Sequence, residues 1–100
     1  MNAKAYVIVV ARRADHEALA RYRELSAPAV AEHGGRYLAR GGRFAVLEGQ
    51  WQPQRVVVVE FPSFEAAQAF YDSESYRKAR AAREGLAEFD MLVVEGLPSA

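Results

Sequence analysis

The side chains best suited to chemistry are one carboxylate, a group of arginines and a set of tyrosines. Glu60 follows the four valines Val56 to Val59. Strand alternation puts it on the face of Val56 and Val58. A carboxylate on an apolar surface has its charged form disfavoured, which suits a general acid or base. The competing reading is a half-wet strand end paired with an arginine. Arg40, Arg43 and Arg55 fall on or near a hairpin, and Arg77, Arg80 and Arg83 on the last helical stretch, where positions 76, 80 and 83 share a face. A guanidinium fork fits a carboxylate ligand. Arg40 and Arg83, walled by Tyr71 and Tyr76, would make a site for a small anionic molecule. The alternative for these arginines is solvation or ion pairing with Glu48, Glu60, Glu84 or Asp90. Trp51 sits in the turn sequence Gly49-Gln50-Trp51-Gln52-Pro53. A tryptophan left wet there forfeits much burial, so it is expected at a subunit interface or over a pocket.

Other chemistries are excluded by composition. The chain has no cysteine, so disulfides, zinc–thiolate sites and thiol nucleophiles are ruled out. His16 and His33 are the only histidines. Both fall on one predicted helix, roughly 25 Å apart at about 1.5 Å per residue, too far to share a metal within a subunit. The helix dipole accounts for His33 near the C-terminal end. No metal motif, P-loop or dinucleotide fingerprint is present, and no serine has a nucleophile-elbow context. No cofactor and no metal are therefore expected. Lys plus Arg and Asp plus Glu are both 13, and a neutral chain is not built to hold a nucleic-acid backbone. The apolar run Tyr6–Val10 is far too short to span a bilayer and lacks a signal peptide's cleavage region. A cytoplasmic protein with no membrane partner is expected.

The elements that must position these residues follow from periodicity. Ala5–Ala11 reads as a strand. Asp15 is placed to cap a helix whose apolar residues Ala18, Leu19, Tyr22, Leu25, Ala29 and Val30 follow three-and-four spacing. Pro28 predicts a kink in it, and Gly34-Gly35 ends it. Arg36–Arg40 reads as a strand, interrupted by a bulge or bend at Gly41-Gly42 and resumed over Phe44–Leu47. Gly49–Pro53 reads as a hairpin turn and Arg55–Phe61 as the clearest strand. Ser63 caps a helix over Phe64–Tyr71. A break at Asp72-Ser73 leads to a second segment reaching Glu84, and Gly85 stops it. Phe89–Glu95 is the last strand. The order predicts an α+β, ferredoxin-like βαββαβ fold, a four-stranded antiparallel sheet with two helices on one face. All 100 residues form one expected domain, its core about 5–96.

An antiparallel sheet with one wet face should alternate apolar and polar residues. Val7-Ile8-Val9-Val10, Val56–Val59 and Leu92-Val93-Val94 do not. Two short helices cover one face, and six valine-sized side chains left wet on the other would forgo on the order of 10 kcal/mol. A second copy packed face to face removes that cost, so a homodimer is expected. The competing arrangement folds the hairpin, tail or kinked helix over part of the second face.

The segments Gly34-Gly35-Arg36-Tyr37-Leu38, Arg40-Gly41-Gly42, Leu47-Glu48-Gly49, Glu60-Phe61-Pro62-Ser63, Arg83-Glu84-Gly85 and Val94-Glu95-Gly96, with Trp51, Pro53, Tyr71, Ser73 and Tyr76, resemble the domain-of-unknown-function 1330 family. The resemblance runs from about Tyr6 to Gly96. It implies a dimeric α+β barrel of ferredoxin-like subunits. The wider superfamily includes cofactor-independent monooxygenases, isomerases, haem-degrading enzymes and stress-responsive proteins, and fold alone does not choose among them. The expected function is binding or conversion of a small anionic molecule without a cofactor. Glu60 would be the acid or base, Arg40 and Arg83 the anion clamp, and Tyr71 and Tyr76 the hydrogen-bonding walls. The alternative is a non-catalytic dimer that binds a metabolite or a protein.

Overall fold

A computed structural model describes residues 3–98. The elements are β1 (Ala3–Ala14), α1 (Ala20–Glu32), β2 (Arg36–Arg40), β3 (Arg55–Phe61), α2 (Phe64–Asp72), α3 (Glu74–Ala82) and β4 (Ala87–Pro98). The strands make one antiparallel sheet in the order β2-β3-β1-β4. This is the expected ferredoxin-like fold, with the second helix split in two. The split has a local cause in Ser73, whose backbone is extended. Its hydroxyl donates to the Phe70 carbonyl at 2.7 Å, closing α2, and accepts from the Tyr76 N–H at 3.2 Å, opening α3.

β1 is central, and its register sorts side chains onto two faces. Val7 and Val9 stand opposite Val59 and Val57 on one side, and opposite Val93 and Met91 on the other. These residues pack against Ala29 and Val30 of α1, Phe70 of α2, and Tyr76 and Ala79 of α3. The alternate residues Tyr6, Ile8 and Val10 stand opposite Glu60, Val58 and Val56, and opposite Val94, Leu92 and Asp90. They form the second face, where Leu92 is 56% exposed and Val94 47%. The Cα envelope, 41 × 36 × 17 Å, is a slab two layers thick. No helix of the described residues is long and apolar enough to cross a membrane.

Three local expectations are corrected. First, α1 starts at Ala20, not at Asp15. The Asp15 carboxylate accepts from the N–H groups of Glu17 and Ala18, but it caps a separate turn. Pro28 lies within α1. Second, Phe44–Leu47 forms no strand. β2 is an edge strand, and Gly41, at φ +76°, turns the chain out of the sheet beyond it. Third, the irregularity of β2 falls between Tyr37 and Ala39, not at the glycine pair.

Gly35 marks the tightest approach of helix and sheet. A Cβ there would lie 2.7 Å from Phe61 Cε1 and 2.8 Å from Val30 Cγ1. Both side chains are core, so neither yields freely. Gly35→Ala is expected to cost about 1–3 kcal/mol. The readout is a lower urea midpoint with an unchanged slope.

Candidate functional site

A cavity of about 310 Å³ lies between the first face of the sheet and the helices. Val7, Val9, Val57 and Val59 form its floor, with Phe70, Phe89 and Met91 on its walls. Its uncharged polar side chains are Tyr22 and Ser26 of α1, Tyr37 of β2, Tyr76 of α3 and Gln54, and His16, Arg23, Arg40 and Arg55 also line it. No lining residue is an aspartate or glutamate. Arg23, Arg40 and Arg55 form no ion pair with a carboxylate of the described residues.

The local sequence explains how the arginines arrive. Tyr37 pairs with Val59 and Arg40 with Val57, both floor residues. Residues three apart on a regular strand point to opposite faces. The register shift between Tyr37 and Ala39 supplies the extra residue that brings both to the cavity side. The Arg40 guanidinium then stacks 4.2 Å from the Tyr37 ring centroid. The Arg55 guanidinium lies against Gly41, where a Cβ would stand 2.8 Å from Nη1. Arg23 is held by its Nη1, which donates to the His16 carbonyl at 2.6 Å.

Tyr22 and Tyr76 meet hydroxyl to hydroxyl at 2.8 Å, and the Tyr76 hydroxyl also lies 3.6 Å from Met91 Sδ. Tyr76 is 1% exposed. Burial raises the pKa of Tyr22 far above the ordinary phenol value, and neighbouring Tyr76 raises it further, against a smaller opposing pull from Arg83. Burial also raises Tyr37, against Arg40 and Ser26. The Tyr22 and Tyr37 hydroxyls stay protonated at neutral pH. They can donate and accept hydrogen bonds but do not serve as bases.

Of the expected site residues, the structure brings Arg40 and Tyr76 to the cavity. Arg83 stands behind the lining, 4.5 Å from the Phe89 ring centroid, with Nη2 4.0 Å from Met91 Sδ. Tyr71 is outside, stacked under Arg80 and against Tyr76. Trp51, 61% exposed, borders a recess with Val10 and Asp90 at one end of the second face. Glu60 is on the second face as well, so it does not share a site with Arg40 and the tyrosines. Its Oε1 is 3.0 Å from Arg36 Nε and 3.4 Å from Lys4 Nζ. Partial burial alone would raise its pKa, but the hydrogen bond and charge of Arg36 and the charge of Lys4 outweigh that and hold it below the usual carboxylate range. That is the reverse of the shift expected for a bare apolar surface, because two cations stand beside it.

Tyr22, Arg23, Tyr37 and Arg55 were not expected as site residues. Tyr22 was legible only as one of the apolar positions of α1. Arg55 reads in the sequence as one of the arginines on or near the hairpin, but its face depends on the exact register. His16 is exposed and also borders the cavity.

The sequence matches the family described as a domain of unknown function, DUF1330, over residues 4–97. The chain belongs to the DUF1330 family. No curated protein matches it. Among solved structures, this DUF1330 chain is similar to a protein of unknown function from Rhodopseudomonas palustris, with TM-score 0.75, 21% identity, and 99% of this chain and 86% of that chain covered. It is also similar to SnoaB, a cofactor-independent oxygenase from Streptomyces nogalater, with TM-score 0.61, 10% identity, and 99% and 97% covered. A dimeric ferredoxin-like protein of unknown function from Thermobifida fusca matches with TM-score 0.53, 17% identity, and 97% and 93% covered. At these identities the likeness is one of fold.

Glu60 gives a testable pH dependence. Its folded-state pKa is lowered, so its stabilising contribution is present above the unfolded carboxylate range and is lost as pH falls through the folded value. Glu60→Gln is expected to melt below the native protein at pH 7. The gap in melting temperature should close as the pH is taken down towards 3. A gap that widens on acidification would show the opposite shift.

Proposed function

We propose that this DUF1330 chain is a homodimer, each subunit of which binds a small acid with an apolar body in the cavity under its helices. One observation carries the ligand class: three arginines without carboxylate partners among the described residues border a largely apolar space with no aspartate or glutamate in its lining. A cation unpaired by protein acids favours an anionic ligand, and a guanidinium fork matches the two oxygens of a carboxylate. The valine floor and aromatic walls suit an apolar body, and the volume is at the small end of ligand pockets. Arg40 is the anchor, Tyr76 an inner wall, and Arg83 supplies positive charge from behind the lining. The reading needs no cofactor.

The dimer follows from the second face. Ile8, Val56, Val58, Leu92 and Val94 lie together there, bordered by the Lys4–Glu60–Arg36 pairs at one end and the Arg12–Asp90 pair at the other. An apolar patch rimmed by charge is an interaction surface. A second copy fits it, since the partner offers the same flat apolar centre and mixed-charge rim, and the Thermobifida fusca neighbour is described as dimeric. Residues 50–52 border only the Val10 end, and the exposed Trp51 extends the patch. Glu60 belongs to its rim.

A second reading is favoured by SnoaB, a cofactor-independent oxygenase of the same fold. In that reading the bound acid is also converted, and a new product after incubation in air separates it from binding alone.

Ligand-observed NMR with 4-isopropylbenzoate and its uncharged amide tests the binding site. The acid is expected to bind and the amide to bind far more weakly. Arg40→Gln should weaken the acid about ten- to a hundredfold, the loss of a charge-assisted hydrogen bond. Equal binding of acid and amide, or no effect of Arg40→Gln, contradicts the anionic site.

A further inference from the structure

The inner wall of the cavity ends in a hydroxyl hydrogen that meets only a weak acceptor. Tyr22 and Tyr76 carry one hydroxyl hydrogen each, and one of the two is used in their mutual bond at 2.8 Å. The other has only the Met91 thioether, 3.6 Å from the Tyr76 oxygen, and sulfur is a weak acceptor. Arg83 Nη2 approaches the same sulfur at 4.0 Å. Arg83 Nε is buried and has no hydrogen-bond partner among the described residues. Donors from α3 and from the residue that ends it thus converge on one poor acceptor, beside a cavity with no carboxylate in its lining.

Resting on the reading of the cavity as a site for small acids, we infer that the Tyr22–Tyr76 pair receives a ketone oxygen of the ligand, which makes the ligand class the oxo acids. A ketone oxygen brings two lone pairs and no hydrogen, so it takes the spare hydroxyl hydrogen without adding another donor. A ligand hydroxyl could accept the same hydrogen, but it would also have to place its own on a tyrosine oxygen, so the ketone is the simpler match. A second carboxylate would lose its hydration for one tyrosyl hydrogen bond, because Arg83 lies behind the lining and not in it. The positive charge of Arg83 still favours the partial negative charge on a polarised ketone oxygen. Tyr22 and Tyr76 are then specificity-determining residues, and Arg40 holds the opposite, acidic end.

The test compares three benzoates by ligand-observed NMR and calorimetry: 4-acetylbenzoate, its isostere 4-isopropenylbenzoate, which lacks the ketone oxygen, and terephthalate. The native protein is expected to bind 4-acetylbenzoate about tenfold more tightly than the isostere, one net hydrogen bond, and more tightly than terephthalate. In Tyr22→Phe/Tyr76→Phe, which keeps both rings, the two uncharged-tail acids should bind equally. Met91→Leu preserves volume and removes the competing sulfur, so there the ketone preference should persist or widen. This second variant carries the test should the double variant melt before binding can be read. Equal binding of 4-acetylbenzoate and its isostere to the native protein, with both weakened by Arg40→Gln, overturns the ketone site and leaves the anion site standing. A preference for terephthalate, a ketone preference that survives loss of both hydroxyls, or one that collapses in Met91→Leu also overturns it. If none of the three acids binds, both the ketone site and the anion site fall.

Discussion

The structure depends on a sheet that is apolar on both faces while its helices lie on one. β1 and β3 contribute valine or isoleucine to each side, so alternation cannot give one dry face and one wet one. Burial on the first face, against α1, α2 and α3, makes the core. The second face keeps Leu92 and Val94 exposed in the isolated chain. Leaving such side chains in water costs about 25 cal/mol per Å² of apolar area. A symmetric partner is the cover that the same sequence always has at hand.

The same two-faced sheet separates two kinds of polar residue. On the second face, charges occur as pairs at the ends of the patch, with Glu60 held between Arg36 and Lys4. On the first face, charges occur at the cavity as unpaired arginines with no acid among the lining residues. Paired charges at a rim fix the register of an interface. Unpaired charges beside an apolar cavity are a demand for a counter-ion. One irregularity connects the two arrangements: the shift in β2 moves Arg40 to the side of Tyr37, and without it Arg40 would join the second face.

The fold was legible because it rests on local signals. Serine caps, glycine ends and runs of β-branched residues set the element order, and Ser73 divides the second helix as its sequence suggests. The two-faced character of the strands was legible for the same reason, since it needs only alternation. The site was less so. Arg40 and Tyr76 were singled out, but Glu60 was grouped with them although one register places it across the sheet. Which face a residue occupies depends on a bulge of one residue, and Tyr37-Leu38-Ala39 carries no glycine or proline to announce it. Phe44–Leu47 reads as a strand by composition, but an edge position and the positive φ of Gly41 leave it without a partner strand. Tyr22 was hidden in a helical apolar stripe, where a tyrosine of the core and a tyrosine of a site look alike.

Mass by light scattering, on the native chain and on Leu92→Arg, tests the central claim most directly. At micromolar concentration the native protein is expected at twice its 11.1 kDa subunit mass. Leu92→Arg, which puts a charge in the centre of the uncovered patch, should give a folded particle of half that mass. A native protein that stays at the subunit mass as its concentration is raised would contradict the account.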